Sequence, residues 1–223
     1  NVLVYIDDLL VHTDTHEKHL QVLDQVLARL HKNHLKINLE KCVFGNKEVS
    51  YLGFTLTPEG IKPGKNKLKA IKDAKPPTDV KTIRSFVGLC NFFRTHIKDF
   101  ALIAAPLFKL TRKDSGYKSG PLPEKALKAF YILQKQLTSE PVMAFPKADR
   151  QYALITDAAT GTADTPGGLG AILTQVDKDG NFHAISFASR QLKDHEVNYS
   201  PFLLEAAAAV WGMDFFNEYL KGK

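Results

Sequence analysis

The chain opens on an apolar run, Val2-Leu3-Val4-Tyr5-Ile6, interrupted by Asp7-Asp8 and resumed by Leu9-Leu10-Val11. Apolar runs flanking a polar pair predict two short buried strands in a tight hairpin over 1–13. Asp14 followed by Glu17 reads as a capping box, and Leu20, Leu23, Leu27 and Leu30 then recur at helical spacing. Leu35, Ile37 and Leu39 alternate as in a half-buried strand. A second hairpin follows, with Leu52, Phe54 and Leu56 on one face and Thr57-Pro58-Glu59-Gly60 as its turn. From Lys65 the period becomes helical. Pro76-Pro77 breaks it, and Thr78 is the expected N-cap of the next helix, with Asp79 in its first turn. In that helix Val80, Ile83, Val87 and Cys90 form an inward stripe. Lys81, Arg84, Gly88 and Asn91 form a second stripe about 100° around the axis. Further helices are expected over 101–110 and 124–138, the latter with Leu127, Phe130, Leu133 and Leu137 inward.

After residue 150 the pattern changes to strands. Gln151 to Thr156 reads as a strand ending at Asp157, and a loop from Ala158 to Gly167 follows. Leu169 to Gln175 and Phe182 to Ser189 are two more strands, joined by Asp177-Lys178-Asp179-Gly180-Asn181. Phe202 to Tyr219 reads as one alanine-rich helix carrying Glu205, Trp211 and Phe215. The pattern describes an α+β multidomain chain without internal repeats.

Composition narrows the function classes. At roughly 100–200 residues per domain, the 223 residues allow one large domain or two modest ones. The 44% hydrophobic content excludes a disordered chain. Two cysteines, Cys42 and Cys90, exclude a disulfide scaffold and suit a reducing compartment. His12, His16 and His19 could face one metal, but no cysteine or carboxylate cluster at zinc spacing accompanies them. Asp164 lacks the alternating ligands and closing glutamate of a calcium loop. No apolar run approaches the ~20 residues of a membrane span, so no membrane partner is expected. The net charge of +6 is uneven: between Ile61 and Lys113, 13 Lys/Arg face 3 acids. That block nets +10 and the remainder −4. Concentrated positive charge fits a polyanion, nucleic acid being the commonest, and fits equally a solvated lysine-rich surface.

An aspartate pair is by itself a good turn sequence; held on a hairpin tip it also suits two-metal phosphoryl transfer. Tyr5-Ile6-Asp7-Asp8 resembles the catalytic box of reverse transcriptases. Leu35-Lys36-Ile37-Asn38-Leu39-Glu40-Lys41-Cys42-Val43-Phe44, then Tyr51-Leu52-Gly53-Phe54 and Pro58-Glu59-Gly60-Ile61, continue the likeness in order. Ile83-Arg84-Ser85-Phe86-Val87-Gly88-Leu89 and Asn91-Phe92-Phe93-Arg94 are similar to the thumb of gypsy-class LTR retrotransposons. Ile155-Thr156-Asp157, Gly168 to Leu173, Phe187-Ala188-Ser189-Arg190, Asn198-Tyr199-Ser200 and Glu205 resemble ribonuclease H.

The resemblance covers essentially the whole chain. It implies the C-terminal part of a polymerase palm (1–62), a helical thumb (63–113), a connecting segment (114–148) and a truncated ribonuclease H-like domain (149–223). It implies Asp7 and Asp8 as polymerase metal ligands, and Asp157 and Glu205 as nuclease metal ligands, for Mg²⁺ or Mn²⁺. Tyr5, Leu52, Gly53, Lys81, Arg84, Gly88 and Asn91 become nucleic-acid contacts. The implied partners are an RNA/DNA hybrid and primer–template duplex, deoxynucleoside triphosphates in the complete enzyme, and a second copy or other polyprotein segments. The implied location is the cytoplasm, within virus-like particles, or the nucleus. The loop after Asp157 is longer than the family pattern, and Pro201-Phe202-Leu203-Leu204 stands where that pattern is polar. The start at Asn1 inside a strand, and the stop at Lys223 before a third nuclease carboxylate, predict a piece of a larger enzyme. A catalytically incomplete module that binds nucleic acid or protein is the alternative.

Overall fold

The apolar runs around the first aspartates form β1 (Val2–Tyr5) and β2 (Asp8–Val11), antiparallel with Tyr5 opposite Asp8. In this computed structural model, residues 1–139, 141–162 and 165–222 are described; Asp164 lies outside them. The hairpin is exposed on both faces, contrary to the buried strands the sequence predicts: Val4 is 67% and Ile6 80% accessible. Helix α1 (His16–Lys32) begins at Thr15, not Asp14. The Lys18 N–H donates to the Thr15 hydroxyl at 3.3 Å, leaving the Asp14 carboxylate 3.9 Å from Lys18 Nζ. The strand expected at Leu35 to Leu39 does not form. Among the described residues no strand pairs with it, and alternation without a hydrogen-bonding neighbour cannot make a strand. A 3₁₀ turn at Leu39–Lys41, capped by Asn38, takes its place.

Strands β3 (Val49–Tyr51), β4 (Phe54–Thr57) and β5 (Gly60–Pro63) form an antiparallel sheet in chain order. Leu52 and Gly53, at φ 50° and 84°, make the β3–β4 turn. Positive φ at both central positions is the type I′ geometry that matches strand twist. Leu52 therefore sits in a turn and not on a strand face with Phe54 and Leu56, as its spacing suggests.

Four helices follow: α2 (Lys65–Lys72), α3 (Val80–Phe92), α4 (Phe100–Leu110) and α5 (Glu124–Thr138). Asp79, not Thr78, caps α3. The Thr82 N–H donates to the Asp79 carboxylate at 2.8 Å, and the Asp79 N–H to the Thr82 hydroxyl at 3.2 Å. This reciprocal pairing satisfies two orphan donors, whereas Thr78 uses its carbonyl to accept from Gly120. Ile71, Ile83, Phe86, Val87, Cys90, Phe93, Phe100 and Leu107 pack with Phe130, Leu133 and Leu137 of α5. The segment expected as a connector thus shares one core with the thumb helices. Gln134 of α5 reinforces the joint by donating to the Ile71, Lys72 and Ala74 carbonyls at the end of α2.

The last block is a three-stranded antiparallel sheet of β6 (Tyr152–Ala159), β7 (Gly168–Val176) and β8 (Phe182–Gln191). Strand β6 runs two residues past Asp157, because Ala158 and Ala159 pair with Leu169 and Gly168. Helix α6 (Pro201–Phe215) is capped by Ser200 and is followed by α7 (Asn217–Leu220). The single helix predicted over 202–219 breaks at Phe216, whose ring is buried in the core beneath the sheet. A Cβ on Gly212 would meet Thr156, Ala171 and Leu154, which marks the sheet face that α6 covers. The opposite face meets α4 and the turn before it. The Ala101 N–H donates to the Ser189 hydroxyl and Arg94 to the Ser189 carbonyl, both at 2.9 Å. A bridge between Ile61 and Met143, followed by an Ala144 N–H to Ala184 bond, ties β5 to β8.

Candidate nucleic-acid interface and carboxylate sites

Asp7 and Asp8 stand on the exposed tip of the β1–β2 hairpin, Asp7 in the turn and Asp8 as the first residue of β2. The preceding turn residue, Ile6, holds φ at 51°. A β-branched residue rarely adopts this left-handed conformation, and such strain costs about 1–3 kcal/mol and gathers at functional sites. Among the described residues no Lys or Arg forms an ion pair with either aspartate. Their oxygens are hard donors of the kind that hold Mg²⁺ through one or two carboxylates plus substrate phosphates. No group of three or more His, Cys, Asp or Glu is gathered among the described residues. That applies to His12, His16 and His19 as well.

The second candidate region is the exposed side of α3. Lys81, Arg84, Gly88 and Asn91 are all accessible and share one face, while Ile83, Val87 and Cys90 point into the core. Gly88 has open space where a side chain would stand. With Val87, Phe108 and Thr111, three of these residues (Arg84, Gly88 and Asn91) line a groove of about 190 Å³. Arg84 is not wholly free, because its guanidinium donates to the Thr111 carbonyl at 2.9 Å. At the C-terminal end of α3, Phe92 stacks its ring on Phe54 at 5.0 Å, beside the Leu52-Gly53 turn. Lys67, which sequence patterning did not single out, lies there too. Its Nζ is 3.0 Å from the centre of the Phe92 ring, a cation–π contact. Only its membership in a lysine-rich helix was legible beforehand.

The third region is the sheet. Leu154 and Thr156 face α6, so alternation turns Asp157 to the opposite side. There it lines a small pocket with Lys98, Asp99, Ile155 and Gly170. Burial, partly offset by Lys98 and reinforced by Asp157, holds the Asp99 carboxyl above the ordinary carboxylate range. Glu205 is exposed on the first turns of α6, next to buried Leu204, and belongs to neither this pocket nor a three-carboxylate group. The element that orients α6 went unnoticed in the sequence. Arg190 makes a bidentate pair with Glu196 at 2.6 and 2.7 Å, and Glu196 also accepts from the Lys193 N–H at 2.8 Å. The Arg190 guanidinium then faces the Trp211 ring at 5.4 Å. These contacts clamp the turn between β8 and α6. The two partners of the Arg190 side chain lie six and twenty-one residues away, at spacings no local pattern flags.

Residues 1–56 match the family described as reverse transcriptase (RNA-dependent DNA polymerase). Residues 122–223 match the RNase H-like domain found in reverse transcriptase. The retrovirus-related Pol polyprotein from transposon 297 of Drosophila melanogaster is 37% identical over 221 residues, which is 99% of this chain and 20% of that polyprotein. The corresponding polyprotein from transposon gypsy of the same fly is 32% identical over 98% of this chain and 21% of its own length. The chain belongs to the reverse transcriptase–ribonuclease H proteins of gypsy-class retrotransposons.

As a member of that class, it spans about a fifth of the length of these curated relatives. The same fold occurs in a foamy viral protease-reverse transcriptase solved with an RNA/DNA hybrid. The match has a TM-score of 0.83 at 20% identity, over all of this chain and 29% of the viral one. A form of the viral protein solved with dsDNA also matches at 0.83, over 44% of its length. Among the described residues of this retrotransposon chain, no helix is long and apolar enough to cross a membrane.

Proposed function

We propose that this chain is the palm–thumb–ribonuclease H stretch of an enzyme that copies RNA into DNA and degrades the RNA of the resulting hybrid. Its division follows as palm over 1–62, thumb over 63–113, connector over 114–148 and ribonuclease H-like domain over 149–223. The observation that carries this reading is the exposed face of Lys81, Arg84, Gly88 and Asn91, which runs along α3 toward the Leu52-Gly53 turn. A cationic, amide-bearing face with a glycine gap suits a duplex backbone recognised by shape and not by base edges. Asp7 and Asp8 would hold divalent ions, Mg²⁺ or Mn²⁺, at the primer end, and Tyr5 would line the same site. Asp157 and Glu205 would serve the nuclease on the strength of the motifs that carry them, although Asp157 faces away from the α6 side of the sheet and Glu205 lies outside its pocket. Bound metal supplies Lewis acidity that activates the attacking oxygen and neutralises phosphate charge. Leu52 and Gly53 would steady the primer terminus, and deoxynucleoside triphosphates would be the second substrate. The working location is the cytoplasm, within particles formed by the same polyprotein, alone or as a pair of copies.

A second reading has its own support. Since no described site gathers three carboxylates, the chain by itself acts as a binding module, and chemistry requires the longer polyprotein. Primer extension and hybrid cleavage with Mg²⁺, run on this chain and on a polyprotein segment extended at both ends, separate the two. Activity is expected only in the longer protein. There Asp7→Asn should abolish extension and Glu205→Gln cleavage, each by about a hundredfold or more, the size of loss that follows removal of a group stabilising the transition state. An extended protein that retains extension after Asp7→Asn would overturn the assignment of Asp7.

A further inference from the structure

Lys67 occupies an unusual position for a surface lysine. Its ammonium lies 3.0 Å from the Phe92 ring centre and 5.8 Å from that of Phe93. A Cβ added to Gly53 would come 3.1 Å from both Lys67 Nζ and Phe92 Cζ. The bare glycine of the turn therefore leaves the space in which the ammonium stands. Among the described residues no carboxylate pairs with it: the nearby Glu48 is 4.0 Å from Lys65 instead. The first turn of α2 carries Lys65 and Lys67 and no acid, a placement the helix dipole disfavours unless an anion joins it. The positive charge of this partly exposed lysine is thus held beside Leu52-Gly53 by an aromatic face and a glycine gap. Phe92 lies four residues after Gly88 and so on the same side of α3, and Lys67 extends the Lys81–Arg84–Gly88–Asn91 face to the turn. From Lys81 to Phe92 the helix rises about 16 Å.

Resting on the nucleic-acid reading above, we propose that Lys67 is a backbone-phosphate contact. It would take one phosphate of the strand that passes the Leu52-Gly53 turn, with Phe92 and Gly53 fixing the position of its ammonium. The recognised group is a single anionic phosphodiester, contacted without regard to base identity. Lys67 is a positioning residue: it fixes where that strand sits relative to the turn.

The test is a binding titration of the full chain with a fluorescently labelled RNA/DNA hybrid, across a series of salt concentrations. One lost phosphate contact lowers the slope of log K against log salt by about 0.9. Lys67→Gln should therefore bind more weakly than wild type. Its deficit should shrink about 3.5-fold between 50 and 200 mM salt, the factor that slope difference implies. Lys67→Arg should restore the slope. Phe92→Leu, which keeps the charge but removes its seat, should weaken binding while leaving the slope near wild type. A merely structural role for Lys67 would lower thermal stability without changing the slope, and Lys67→Arg together with Phe92→Leu keeps the test valid if Lys67→Gln folds poorly. Wild type with a steep slope and Lys67→Gln with the same slope would overturn this inference alone. Wild type with a flat slope would overturn the nucleic-acid reading and this inference with it.

Discussion

Glu196 lies under the Arg190 guanidinium, 5% accessible, with both oxygens engaged. The Arg190 hydrogen bonds hold its carboxyl well below the usual range, at about 2, against the desolvation that burial imposes. A carboxyl lowered in the fold contributes stability that is complete above the unfolded value of about 4.3 and is lost as pH falls through the folded value. Thermal unfolding followed between pH 5 and about 2 is expected to show that loss. Glu196→Gln should flatten part of the profile and cost about 2–3 kcal/mol at neutral pH, since Arg190 is left without its charged partner. Asp177 contributes in the same direction. It accepts from His183, Asn181 and Asp179 in the β7–β8 turn, and its carboxyl is held far below the ordinary value. Unchanged acid sensitivity in Glu196→Gln would mean that Asp177 and other carboxylates carry the effect.

Between elements, backbone fit at Gly60 matters most. It takes φ 149°, and a Cβ there would fall 2.2 Å from the Met143 carbonyl oxygen. The same carbonyl accepts the Ile61 N–H at 2.8 Å, and the Met143 N–H returns the bond to Ile61 at 2.9 Å. Two backbone bonds thus join the hairpin of β4 and β5 to the irregular segment leading into the last sheet, and they need a residue without a side chain beside them. Gly60→Ala is expected to break both and destabilise the chain by about 1–3 kcal/mol. A lower urea midpoint and faster amide exchange at Ile61 and Met143 would report it. A change in midpoint without faster exchange at those two amides would place the cost elsewhere.

Across the whole molecule, burial is lopsided. No residue before Thr55 is buried, whereas the helices from α2 to α5 enclose a continuous core. Leu3, Val4, Tyr5, Leu9, Leu20, Leu27, Leu35, Val43 and Phe44 are all exposed. A region with few buried apolar contacts opens at low free-energy cost. Limited proteolysis is therefore expected to cut first between His34 and Lys47 and to leave a resistant product beginning near Val49. Initial cleavage within α3 or α5 would contradict this ordering. The exposed apolar hairpin that carries Asp7 and Asp8 is the kind of surface that marks an interface, and it gives the carboxylates little rigid support in this chain alone.

Much of this was legible in the order of residues. The Asp7-Asp8 hairpin and the order of the last three strands follow from apolar runs bounded by turn residues, and the two faces of α3 and the course of α5 from the 3.6 period that local side-chain geometry imposes. Motif order carried the family in the same way. The failures share one cause. Leu35 to Leu39 alternates as a strand should, but no partner strand is available. Thr78 and Asp14 are acceptable caps, but a neighbour one residue on makes the better hydrogen bonds. The Lys67–Phe92–Gly53 seat, the Asp99–Asp157 neighbourhood and the Arg190–Glu196 clamp each join residues from different elements. Local sequence determines the elements and the chemistry each carries. Which side chains meet is decided by long-range packing, because contact energy depends on distances that only the closed fold sets.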